Sequence, residues 1–387
     1  MERHGGRVER LSHFLHKNLL WLLLGSYAVA AAWPGPGLKA RNVSVGRVAF
    51  FHEQVNLTLP VLTLAALLLN AGLGVRVSQL RGLARRPAAL MSGLSANLLI
   101  PIAYILGVSL AMDAWHNPDE VQNILVGLAL IASMPIAGSS TAWSQNADGD
   151  LALSLGLVLG STLLSPLTTP LALYAVGFMA RGDYAEDLHE LAAGGAGAFL
   201  ALGVILPSFL GIALRSAVGE RRIAAAKPAL RPINTGVLLF LNYSNASAAL
   251  PQAIARPDPD FLAATLAIVV GLCALMFAAG WALARSVRAG RERRVSLMFG
   301  LGMNNNGSGL VMASLALADH PRVLLPIIFY NLVQHLVAGA ADRILERGRA
   351  VDDDVEPGVS PGCLPDLSSA IPRAARVKAD RRAAHDR

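Results

Sequence analysis

Two stretches decide the reading of this chain: Ser133-Met-Pro-Ile-Ala-Gly-Ser-Ser-Thr-Ala-Trp-Ser-Gln-Asn146 and Phe299-Gly-Leu-Gly-Met-Asn-Asn-Asn-Gly-Ser-Gly309. Each sits in a long apolar run, and each carries glycine, hydroxyl and amide residues where most other runs are plain Leu, Ala and Val. Hydrocarbon offers no hydrogen-bond partners, so irregular backbone survives there only when protein buries it or a wet cavity faces it. Close helix packing explains isolated glycines such as Gly156 and Gly271. It does not explain three consecutive asparagines. We read both stretches as breaks that turn backbone N–H and C=O groups toward a ligand.

The setting is a membrane. The chain has 387 residues, 54% hydrophobic and 15% charged, with a mean hydropathy of +0.48. Soluble chains carry about 25% charged residues, so a disulfide scaffold, a disordered chain and an ordinary soluble enzyme are excluded. Apolar runs fall at 18–33, 57–75, 88–112, 121–147, 152–176, 193–214, 230–250, 261–284, 296–317 and 323–341. A helical span needs roughly 20 such residues, and these are ten candidates. The two cysteines, Cys273 in an apolar run and Cys363 in a polar tail, build no disulfide framework, zinc motif or haem signature. No cofactor and no transition metal is expected.

Charge sets the orientation. With the N-terminus in the cytoplasm, 27 of the 33 Lys and Arg residues fall inside and 6 outside. Basic loops are retained on the cytoplasmic side, which predicts a multi-pass protein of the inner (plasma) membrane with both termini cytoplasmic. The formal charge of +7 is then topology; membrane lipid is an expected partner and nucleic acid is not. No Asp or Glu falls in the middle of a run. Asp148 and Asp150 come closest, which argues against a proton pump built on a buried carboxylate. His335 is the one ionisable side chain well inside a run besides Cys273 and tyrosines. It reads either as a neutral hydrogen-bond partner or, under proton coupling, as the carrier.

Basic residues followed by Leu19 to Leu24 and Ala28 to Ala32 resemble a cleavable signal peptide, but Trp33-Pro34 at the end of the run favours a retained first helix. The expected organisation is a cytoplasmic tail at 1–17, a first five-helix repeat at 18–176, an external linker at 177–192, a second repeat at 193–345 and a disordered cytoplasmic tail at 346–387. In that tail, Arg373, Arg376, Lys378, Arg381 and Arg382 form a basic patch, read as solvated or resting on anionic lipid. Each break falls in the fourth run of its half. Five spans per half invert the second half, and matching breaks in inverted halves point to the site of a secondary transporter.

The residues that could hold a solute follow from the breaks. Half-helix N-termini near Gly138-Ser139 and Asn306-Gly307-Ser308 offer free N–H groups and positive dipole ends to an anion. Asn305, Asn306, Asn331 and Gln334 add amides. Asn242 and Asn245, at i and i+3 in the seventh run, share a helix face and line a wet cavity or serve as interhelical packing bonds.

The run from Pro135 through Gly138-Ser-Ser-Thr141, Ala147-Asp-Gly-Asp-Leu-Ala-Leu-Ser154 and Ser161-Thr-Leu-Leu-Ser-Pro-Leu-Thr-Thr-Pro170, with Gly302-Met-Asn-Asn-Asn-Gly307, Pro326 and Gln334, resembles the bile acid:sodium symporter family over roughly residues 15–345. The resemblance implies an all-α polytopic membrane protein, with ten transmembrane helices in two inverted five-helix repeats. Broken helices 4 and 9 would cross in a core domain beside a panel domain. Carried over by position, one sodium site falls on Ser140, Thr141 and Ser154, and a second on Leu301, Met303 and Asn304. The family more often has asparagine at Thr141 and threonine at Val158. Its shared glutamate matches Gly300, and its third-helix glutamine has Asn97 as the nearest candidate. Na⁺ favours oxygen ligands, so here only a neutral cage remains. Arsenite-extruding relatives are similar to one another in carrying a cysteine near the fourth-helix break, which this chain lacks.

The expectation is therefore a secondary transporter of a small organic anion, bile-acid-like or another carboxylate, working by alternating access with Na⁺ as candidate coupling ion. The alternative is an uncoupled or proton-linked carrier or channel of the same fold that has lost the sodium sites. No acid–base pair or metal cluster lies within a run, so an enzyme is not expected.

Overall fold

The computed structural model describes residues 14–15, 18–50, 53–76, 78 and 87–355. The expected tail at 1–17 lies largely outside them, and so do the basic patch at 373–382 and Cys363. The first run forms α1 (Leu19–Ala32), which bends by 98° into α2 (Gly35–Arg41). Pro34 at the bend has no N–H to continue the ladder. A hairpin follows, β1 (Ser44–Phe50) antiparallel to β2 (Glu53–Thr58), with Arg47 opposite Asn56 and Val48 opposite Val55. The apolar runs at 18–33 and 57–75 leave this segment without an expected element.

The first half continues with α3 (Leu59–Gly74), α4 (Pro87–Ala111), α5 (Pro118–Ser133), α6 (Ser139–Asn146) and α7 (Leu151–Gly177). The second half has α8 (Asp183–Val218), α9 (Glu220–Ala246), α10 (Leu250–Ala255), α11 (Pro259–Ser286), α12 (Arg291–Gly302), α13 (Asn306–Ala316) and α14 (Leu324–Val355). Caps fix several starts. The Asn117 side chain accepts from the Asp119 amide at 3.1 Å, and Asp150 accepts from Leu153 at 3.1 Å. Each satisfies an N–H that the first helical turn leaves free.

Among the described residues, five helices are long and apolar enough to cross a membrane: α4, α7, α8, α11 and the last helix. The bent α1–α2 pair makes a sixth if it is one span. Large apolar side chains such as Trp21, Leu110, Leu167 and Leu171 face outward, a surface suited to acyl chains rather than water. Two boundaries differ from expectation. The acidic linker is helical from Asp183, with Asp183 and Glu186 in the first turn, where the dipole favours them. The last helix continues to Val355, past residue 345, through good helix formers such as Leu345, Glu346 and Arg347.

Two packing groups emerge. One joins α1, α3, α9 and the C-terminal part of α8; the other joins α4, α5, α6, α7, α11 and α12. Glycines set the closest approaches. A Cβ on Gly72 would lie 3.0 Å from Cα of Gly211 and would collide with the Ser208 carbonyl, so α3 and α8 touch backbone to backbone. A Cβ on Gly280 would lie 2.7 Å from Met298 Cα, drawing α11 onto α12.

Candidate functional site

Both stretches that interrupt the apolar runs are places where the backbone leaves the helix. The fourth run breaks between Ser133 and Ser139, the ninth between Gly302 and Asn306. The breaks meet. Ile136 and Asn304 form an antiparallel bridge, in which the Ala137 amide donates to Met303 O at 2.9 Å and the Asn305 amide to Pro135 O at 2.9 Å. Each break thus satisfies part of the other's freed backbone, as a low-dielectric surrounding requires.

Side chains satisfy much of the rest. Ser161 Oγ accepts from the Ile136 amide at 3.0 Å, and Thr169 Oγ1 donates to Ser133 O. The Asn304 amide donates to Gln334 Oε1 at 3.0 Å, and Asn304 Nδ2 donates to Ile131 O at 3.0 Å. Gln334 Nε2 in turn donates to Asn331 Oδ1 at 3.4 Å. Asn331 Nδ2 donates to Tyr27 Oη at 2.9 Å and to Asn242 Oδ1 at 3.1 Å, and Tyr27 Oη donates to Asn242 Oδ1 at 2.9 Å. This amide relay runs from α1 and α9 through α14 to the crossing.

The accounting leaves a remainder. Among the described residues, Asn304 Oδ1, both polar atoms of the Asn306 side chain, Ser140 Oγ and Ser308 Oγ are buried without a hydrogen-bond partner. Native proteins leave few such atoms, and each asks for a water, an ion or a ligand. All lie within two residues of the breaks, and four of the five are hydroxyl or amide oxygens that accept as well as, or instead of, donating. Asn97 Oδ1, also unpartnered, belongs to a residue lining a small cavity with Ser133, Pro135 and Ser161.

Beside the crossing lies a cavity of 260 Å³. Gly138, Thr141 and Asn305 line it from the breaks and α6, while Leu68, Val75 and Ser208 line it from α3 and α8. It therefore opens between the two packing groups and is mostly apolar with a few polar tips, the usual make-up of a small-molecule site. Helix ends supply its electrostatics. The N-termini of α6 and α13 and the C-termini of α5 and α12 all reach the crossing.

The sequence-predicted residues separate into groups. Gly138, Thr141 and Asn305 face the cavity. Ser139 is exposed, and Asn306 and Ser308 are buried at the start of α13. Ser154 Oγ donates to Thr141 Oγ1 at 3.3 Å, bringing two residues of the first cation set together. Leu301, Met303 and Asn304 are fully buried at the second break. Asn242, Asn331 and Gln334 do not line the cavity; they form the relay. Asn245 Oδ1 accepts from Ser314 Oγ at 3.0 Å, a bond between α9 and α13. For this cluster the structure favours the packing-bond reading. His335 is half-buried and makes no hydrogen bond among the described residues.

Sequence reasoning missed Tyr27, a lone tyrosine in a Leu/Ala run. It also passed over the pairing of Ser144 with Ser296, whose hydroxyls lie 2.9 Å apart and tie α6 to α12. Ser161, Ser165 and Thr169, buried on α7 at a spacing of four, carried a signal that was there to use.

A model of the SBF-like CPA transporter family matches residues 17–346. The uncharacterized protein YbaS of Bacillus subtilis (strain 168) is 27% identical over 254 residues, covering 64% of this chain and 79% of that protein.

Proposed function

Since the chain belongs to this bile acid:sodium symporter-like family of membrane transporters, we propose that it is a secondary carrier of a small organic anion, bile-acid-like or another carboxylate. In this reading it has ten spans in two inverted five-helix halves, and it sits in the inner membrane with both termini in the cytoplasm. Transport proceeds by alternating access as the α3/α8/α9 group and the group holding the crossing move past one another.

One observation carries the proposal: two broken helices bridge each other at Ile136 and Asn304, with unpartnered buried oxygens around the bridge and a 260 Å³ cavity beside it. Helix N-termini favour an anion, and Asn305 and Thr141 supply directional bonds at the cavity wall. The apolar lining from α3 suits a carboxylate with a hydrophobic body. No covalent chemistry is implied.

Sodium coupling, in this reading, rests on the second cation set. Asn304 Oδ1 has no partner among the described residues, and the Leu301 carbonyl belongs to the last turn of α12, where helix carbonyls lack intrahelical donors. The first set is thinner. Thr141 and Ser154 hydroxyls bond each other, the Val158 carbonyl accepts from Ser161 and Thr162, and Gly300 brings no carboxylate. Gly300 favours the second reading, an uncoupled or proton-linked carrier or channel.

Uptake into proteoliposomes tests both, with a panel of radiolabelled carboxylates that includes a bile acid. Asn305→Leu and Ser140→Ala are expected to impair uptake while the protein still inserts; normal uptake by both defeats the site assignment. Uptake that ignores an imposed sodium gradient selects the second reading.

A further inference from the structure

Away from the crossing, a cavity of 190 Å³ lies between α3, α8 and α9. Its charged lining is Arg76, Arg215, Lys227, Arg231 and Glu220. The carboxylate is already engaged: Glu220 Oε1 lies 2.7 Å from Arg76 Nη2 and 3.3 Å from Arg215 Nη2. Arg215 Nη1 also donates to Leu73 O at 2.7 Å, which anchors the end of α3. Lys227 and Arg231, one turn apart on α9, have no ion pair and no side-chain hydrogen bond among the described residues. Like charges at that spacing repel on an isolated helix, and here both line one concavity.

The rest of the lining is apolar, with Leu73, Ile223 and Leu230 beside the charges. Such an arrangement, at the end of the apolar α3, fits an anion that carries a hydrophobic body. With the membrane placement of the preceding reading, on which this inference rests, the pocket faces the cytoplasmic leaflet, whose surface is anionic. Basic pockets between spans on that side suit lipid headgroups.

We propose that this pocket binds the phosphate headgroup of an anionic phospholipid, with Lys227 and Arg231 on the phosphate and Leu73 and Leu230 against the glycerol and first methylenes. A bound lipid would tie three helices of one packing group together at their basic end, leaving the crossing untouched.

The test uses the full-length protein in a neutral detergent, titrated with phosphatidylglycerol in mixed micelles and followed by thermal stabilisation and native mass spectrometry. Phosphatidylcholine and inorganic phosphate are the comparison probes. Phosphatidylglycerol is expected to stabilise the protein where neither comparison probe does. The variant Lys227→Ala/Arg231→Ala should lose affinity by roughly 30-fold, two surface cations' worth. Arg221→Ala/Arg222→Ala, which removes the same charge from exposed positions that do not line the cavity, should keep it. Lys227→Gln alone gives the same comparison at half the charge change. Equal stabilisation by phosphatidylcholine overturns the proposal, and so does inorganic phosphate reproducing the effect. Equal losses in the two double variants also overturn it. No arm measures transport, so this site and the carrier reading can fail separately.

Discussion

Gln334→Leu removes one side chain from the amide relay and reaches the crossing without touching the cavity wall. Gln334 Oε1 accepts from the Asn304 amide at 3.0 Å, and both residues are almost fully buried. Leucine has similar volume but no acceptor, so the N–H is stranded where water does not replace the lost bond. A buried donor left unsatisfied costs about 1–3 kcal/mol. The second bond lost, from Gln334 Nε2 to Asn331 Oδ1, is long at 3.4 Å and adds less. Because the break has no helix ladder of its own, the cost falls on local opening at 303–305 rather than on the whole fold. Amide exchange there should quicken by roughly 5- to 150-fold, the span that such energies set. Hydrogen–deuterium exchange with mass spectrometry on peptides covering Met303–Ser308 reads this, with α11 peptides as the unchanged reference. Unchanged protection at the break refutes the claim that Gln334 holds it, and equal loosening of α11 refutes the claim that the effect is local.

Gly72→Ala is expected to cost about 1–3 kcal/mol by overpacking, because the new methyl meets Ser208 and Gly211 backbone rather than a flexible side chain; a melting temperature equal to the parent's would count against backbone contact there. Gly300→Glu places a carboxylate where its Cβ meets mainly the Leu157 side-chain tip at 2.9 Å, so the backbone tolerates it. The buried charge then needs a counter-ion, and this variant should be less stable than the parent in choline chloride and recover in sodium chloride. Melting curves that are the same in both salts would sink that expectation.

The breaks were legible because their residues violate the composition of their surroundings. Pro135, Gly138 and the hydroxyls after it, like Asn304, Asn305 and Asn306, have no reason to stand in an apolar run unless backbone is being freed. The ten runs were legible for the same reason in reverse, and each coincides with a helix or a broken pair of helices. What composition does not encode is direction. Asn242 and Asn305 look alike in the sequence. Yet Asn242 is locked between Tyr27 and Asn331, whereas Asn305 caps α13 and faces the cavity. The difference is made by Tyr27, more than two hundred residues away from Asn242 and silent in a local reading. The β-hairpin was missed because Ser44–Thr58 mixes charge and β-branched residues without clean alternation, and its register has an irregularity between Ser44 and Gly46.

No described residue brings a carboxylate to the crossing, which has an electrostatic consequence for the proposed carrier. Two helix N-termini and two C-termini reach the bridge, each worth roughly half an elementary charge of either sign, so the bare site is close to neutral. An anion alone at the N-termini, or a cation alone at the Asn304 and Leu301 oxygens, leaves net charge in a low-dielectric region, where it is expensive. One monovalent anion together with one monovalent cation does not. A site with an added glutamate starts negative and calls for a further cation. Gly300 thus changes the expected stoichiometry as well as the affinity: in the coupled reading, the natural load of this crossing is a single neutral pair.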